Sequence, residues 1–98
     1  MLDQIKADTL TDYVGTSFDV LDDPSKIFPI KLTNIVELVN TERHQSFSLI
    51  FRGPLDHFLA QQIHKLKHPN MQELEIFLVP VSRDKDGFEY EAVFNRIL

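Results

Sequence analysis

IHKLKHPNMQELEIFLVPV, residues 63–81, is the stretch whose reading separates a helical chain from a β chain. Leu59, Ile63 and Leu66 fit a helix at i, i+4 and i+7, with Asp56 as its cap. The strand reading makes a sharper test. If a hairpin turns at Pro69-Asn70-Met71, residue numbers on the facing strands total 140. Lys67 then faces Glu73, Lys65 faces Glu75 and Leu66 faces Leu74. Opposite charges on one face and an apolar pair on the other are what cross-strand pairing favours, at about 0.2–1 kcal/mol each. A helix offers these residues no comparable pairing, so the expectation is a strand over 63–68, preceded by a helical turn around 55–61.

A second hairpin follows. Arg83-Asp84-Lys85-Asp86-Gly87 is a turn with a glycine available for positive φ. Around it the numbers total about 170, placing Leu78 beside Ala92, Ile76 beside Phe94 and Pro80 beside Tyr90. Leu74, Ile76 and Leu78 join Phe88, Tyr90, Ala92 and Phe94 on one apolar face. Phe77, Val79, Val81 and Val93 lie on the other, together with Glu89 and Glu91. One face belongs to the core, and the other needs a cover: the N-terminal segment or a partner chain.

Upstream, Asp8 or Thr9 caps a short helix carrying Leu10, Tyr13 and Val14, with Gly15 as its stop. The period then changes from 3.6 to 2. Phe18 and Val20 alternate with Asp19, and Asp22-Asp23-Pro24-Ser25 marks a turn. Phe28, Ile30, Leu32, Val36 and Leu38 share one parity, with Pro29 on the opposite one as the mark of an edge or bulge. Phe47, Leu49 and Phe51 alternate with Ser48, Ile50 and Arg52 until Gly53-Pro54 ends the run.

Ninety-eight residues are one domain. With 43% hydrophobic and 26% charged residues the chain has the composition of a globular protein, and eight phenylalanines supply its core. The absence of cysteine excludes disulfides, thiolate metal sites and cysteine nucleophiles. No apolar run approaches the roughly 20 residues of a membrane span, and the charged start lacks the apolar stretch of a secretory signal. The net charge of −5 opposes phosphate backbones and anionic lipid, so neither nucleic acid nor membrane is an expected partner. Asp3, Asp8, Asp12, Asp19, Asp22 and Asp23 read as a solvated acidic rim.

Chemistry-bearing constellations are sparse. His64 and His68 have a spacing that suits one metal ion on a helix, but on a strand they stand about 13 Å apart. His64 therefore reads as a histidine satisfied at the core edge, and no metal or cofactor is expected. Glu73/Glu75 and Glu89/Glu91 are paired carboxylates about 6–7 Å apart on solvated strand faces, without a pocket to split their pKa values. Ser46 and Ser48 near His44 make no triad, and three glycines make no phosphate loop. Arg52 is placed to clamp a carboxylate such as Glu91, or a backbone carbonyl.

Four blocks occur in order: FSLIFRGP (Phe47 to Pro54), LKHP (Leu66 to Pro69), LEIFLVPV (Leu74 to Val81) and YEAVFN (Tyr90 to Asn95). Together they resemble a small bacterial domain family of unknown function carrying FSLLFRGP, L-x-HP, LFLVPV and YEAVFN blocks. The likeness covers residues 47–95, with weaker agreement at Asp12 to Phe18. Gln62 and His64 depart from the Gly and aromatic that the family carries over the segment matching 61–66. The resemblance implies a genetic context near phage-tail-collar-like proteins and brings no catalytic motif.

The expected architecture is mainly β: a short N-terminal helix and about six mostly antiparallel strands in a small barrel or sandwich. The expected function is a non-enzymatic interaction or assembly module in the bacterial cytoplasm or a phage-like particle. It would join a protein partner, or a second copy, through Phe77, Val79, Val81 and Val93. The alternative is a small-ligand-binding or catalytic barrel using Arg52, His64 and Tyr90.

Overall fold

A computed structural model describes residues 10–97 of the chain. After a turn of 3-10 helix at Thr11–Tyr13 come six strands: β1 (Ser17–Val20), β2 (Phe28–Asn40), β3 (His44–Gly53), β4 (Gln62–His68), β5 (Gln72–Arg83) and β6 (Phe88–Ile97). They form one antiparallel sheet in the order β1-β2-β3-β6-β5-β4. The sheet closes on itself, because β1 pairs with β2 on one side and with β4 on the other. Closure leaves an inside and an outside, and the two are sorted by the alternation of each strand.

The deciding hairpin has the expected register. Lys67 faces Glu73, Leu66 faces Leu74, Lys65 faces Glu75 and His64 faces Ile76. Its turn places Gln72 at φ 60°, the left-handed region that a residue with a Cβ rarely adopts. The second hairpin keeps the total of 170 at Val79–Glu91 and Pro80–Tyr90, then shifts by one at a bulge before Ser82. The pairs of β5 with β6 end at Val79–Glu91, so the expected Leu78–Ala92 and Ile76–Phe94 pairs are not formed.

Inward positions make a single core: Phe18, Ile30, Leu32, Phe47, Leu49, Phe51, Leu66, Ile76, Leu78 and Tyr90 are among its buried members. Phe18 meets Phe51 edge to face with centroids 5.4 Å apart, and Phe47 stacks on its cross-strand neighbour Phe94 at the same distance.

Four expectations are corrected. Of the segment read as a helix up to Gly15, the described residues give an α-helical Leu10 followed by the 3-10 turn at Thr11–Tyr13, and the proposed caps Asp8 and Thr9 lie outside them. Leu10 and Tyr13 share a face at i, i+3 in either helix type; here Leu10 is buried in the core and Tyr13 packs against it. Residues 55–61 are turns and bends, not a helical turn, with Leu59 tucked into the core. In β2, register shifts between Leu32 and Asn34 and between Glu37 and Val39 break the single parity. Ile35 turns toward the core, while Val36 and Leu38 are exposed. Finally, Gly87 does not take positive φ; a Cβ on it would lie 2.3 Å from the Gly53 carbonyl oxygen, so close approach is what requires glycine there.

Candidate interaction surface

Alternation along β4 and β5 sends His64, Leu66, His68, Leu74, Ile76 and Leu78 inward, so Ile63, Lys65, Lys67, Glu73, Glu75 and Phe77 must face out. Ile63 is 62% exposed and lies directly opposite Phe77, which is 49% exposed. Val81 and Val93 are about half exposed as well, and Val79 is half-buried. The four residues expected to form an interface therefore lie outside the core, as the parity requires. The N-terminal segment was the plain candidate for covering them; where it is described, it goes to the core through Leu10 and Tyr13 instead.

The outer surface continues across β6, β3 and β2, where Val93 pairs with Ser48 and Ser48 with Val36. Ser48 is buried, and among the described residues its hydroxyl has no hydrogen-bond partner.

Around the Ile63–Phe77 pair two lysines stand among three acids. Lys65 faces Glu75, Lys67 faces Glu73, and Asp19 of β1 flanks Lys67 on its other side. Among the described residues neither lysine forms an ion pair with the glutamate it faces. The four side chains are exposed.

The inward polar groups are all engaged within the fold. The two ring nitrogens of buried His64 meet the Asp22 carboxylate and, at 2.7 Å, the Ala60 carbonyl oxygen. These two contacts hold the ring between the β1–β2 turn and residue 60. The second Asp22 oxygen accepts the Lys65 backbone N–H at 2.8 Å, which ties the β1–β2 turn to β4. His68 sits between the rings of Tyr13 and Phe18. Its Nδ1 accepts the Asn70 N–H, so Nε2 carries the proton and donates to Thr16 Oγ1, which donates in turn to the Tyr13 carbonyl. Burial lowers the His68 pKa below its ordinary value. Tyr90 is fully buried; its hydroxyl accepts the Leu59 N–H at 3.0 Å, and burial raises its pKa.

Arg52 does clamp a carboxylate, but that of Asp84 at 2.8 Å and not Glu91. Asp84 also accepts the N–H groups of Asp86 and Gly87, and these contacts, led by Arg52, hold its pKa down to about 2. Of the residues of the ligand-site alternative, His64 and Tyr90 bond to the adjacent residues Ala60 and Leu59, while Arg52 bonds to Asp84 in the turn between β5 and β6. Among the described residues no three of His, Asp and Glu are grouped to hold a metal ion, and no helix is long and apolar enough to cross a membrane.

Sequence reasoning missed two participants. Ile63 belongs to the exposed pair, and its signal was present: 63 and 77 also total 140. Asp22, 42 residues from His64, gave no local signal.

A protein-family model described as Domain of unknown function (DUF6916) matches residues 5–94. No curated protein and no solved structure matches the chain significantly.

Proposed function

The chain belongs to the DUF6916 domain family, and from that premise we propose that it is a non-enzymatic interaction or assembly module acting through the outer face of β4, β5 and β6. One observation carries this reading. Ile63, Phe77, Val81 and Val93 stay about half exposed or more on the outside of a sheet whose inward residues form the buried core. Exposed apolar side chains that adjoin, as Ile63 and Phe77 do across the β4–β5 register, are a mark of interaction sites. The setting we infer, from the resemblance of the four sequence blocks alone, is a phage-tail-like assembly or its production, in the cytoplasm or in the particle. The ligand-binding or catalytic alternative draws no support from Arg52, His64 and Tyr90, since each has a structural partner of its own.

The test is recovery of tagged wild-type protein and a Phe77→Lys variant from the native host, with identification of bound proteins. A specific partner held by wild type and lost by the variant is the expected result. A partner set unchanged by the variant would exclude this face.

A further inference from the structure

We propose that the outer face of β4 and β5 binds a second copy of this chain, face to face, about a twofold axis parallel to the strands. The inference rests on the interaction reading above and names its partner. Three levels of the hairpin register carry it: Ile63 with Phe77, Lys65 with Glu75 and Lys67 with Glu73. At the two charged levels β4 supplies the lysine and β5 the glutamate. The exposed side of the hairpin is therefore a positive stripe beside a negative one, headed by an apolar pair.

Consider an axis running between β4 and β5. Rotation about it lays β4 of one copy over β5 of the other without changing level. Each Lys65 meets the second copy's Glu75, each Lys67 meets its Glu73, and each Ile63 packs on its Phe77. An axis perpendicular to the strands at the Lys65 level does the opposite, setting Lys65 on Lys65 and Glu75 on Glu75, which like-charge repulsion disfavours. The pattern thus selects one self-complementary arrangement, as a twofold interface requires. Aligned sheets cross at about 30°, and over levels this close together long lysine side chains bridge the offset.

Two further observations fit a second copy better than a strongly charged partner. The chain carries a net charge of −5, which opposes self-association in general, yet the hairpin face balances two lysines against two glutamates, with Asp19 of β1 as a further acid beside Lys67. None of those four groups is engaged in an ion pair among the described residues, so all are free to pair in trans. Two strands offer less than the roughly 800 Å² per partner of a standard interface, so the dimer is expected to form in the micromolar range or above.

The experiment is sedimentation equilibrium on wild type and two charge-reversed variants, with circular dichroism to confirm that each is folded. One carries K65E and K67E, the other E73K and E75K. Wild type is expected to dimerise and each variant alone to associate at least about tenfold more weakly, because four cross-copy pairs become repulsive. An equimolar mixture of the two is expected to regain association as a heterodimer, since acid then faces base at every level. A wild type that stays monomeric into the hundred-micromolar range overturns the inference, as does dimerisation that neither variant weakens. If wild type is monomeric but Phe77→Lys still abolishes capture of a host protein, the interaction reading stands and only the second copy is removed.

Discussion

On the inner face of β4, His64, Leu66 and His68 are each at most 3% exposed and each is packed or hydrogen-bonded. On the outer face of the same seven-residue strand, Ile63, Lys65 and Lys67 are exposed, and the two lysine side chains have no ion-pair partner among the described residues. The two sets alternate, share one backbone and differ only in parity. The inner set is buried in the core of the ring; the outer set stands in solvent. Polar residues alone do not mark function here, because both histidines belong to the architecture.

The sharpest way to break this comparison is to truncate one residue on each face. Leu66→Ala is expected to cost about 2–5 kcal/mol, through lost burial and the cavity left behind. Ile63→Ala should stay within about 0.5 kcal/mol of wild type, as exposed positions do. Urea unfolding of both variants decides it, and comparable losses would show that the outer face is structural after all.

A somewhat smaller effect is expected at the inner polar contacts. Asp22→Ala removes the acceptor for the His64 ring and for the Lys65 N–H, leaving a buried donor unsatisfied. About 1–3 kcal/mol should be lost, measured by the same unfolding experiment. Truncation of the exposed Glu75 should change stability very little.

Acid provides a third contrast. The His68 pKa is lowered from 6.5 in the folded state, so the unfolded chain binds the proton more readily. Its contribution is therefore complete above about pH 6.5 and is lost as pH falls through the lower folded value. Protonation would also displace the Asn70 N–H from Nδ1. Thermal melts across this range should show a decline that His68→Gln reduces. At much lower pH, Asp84 adds a second decline, since the stability it confers is present above 3.8 and is lost as pH falls toward about 2. The smallest expected change is in the turn between β4 and β5. Gln72→Asn places a residue better suited to φ 60° and should stabilise by about half a kcal/mol, read from the shift in denaturation midpoint.

The sequence made the β4–β5 hairpin legible because a charge ladder and an apolar pair agreed on one register. Nothing similar guarded β2. Its apolar residues keep one parity on paper, but two bulges change which of them face inward, and a bulge is set by twist and closure and not by local pattern. The N-terminal turn misled for a different reason, since the spacing of Leu10 and Tyr13 suits a 3-10 turn as well as an α-helix. Of the candidate surface, Phe77, Val81 and Val93 were visible as apolar residues on the wrong side of a strand already facing a core. Ile63 was hidden by its helical spacing with Leu59 and Leu66, although the register that rejected the helix also placed it opposite Phe77. The His64–Asp22 contact joins distant segments that only the closed sheet brings together.

The seam between β1 and β4 consists of two residue pairs, Asp19–Lys67 and Val20–Leu66, with His68 gripping Thr16 from 52 residues away. Contacts between remote segments are made late in folding, because the loop they close must first lose its freedom. The β4–β5 hairpin, being local, does not need that seam in order to form. During synthesis and refolding, then, a chain can display Ile63 and Phe77 before its ring is shut, and the amides of β1 should be the first to exchange with solvent once it is.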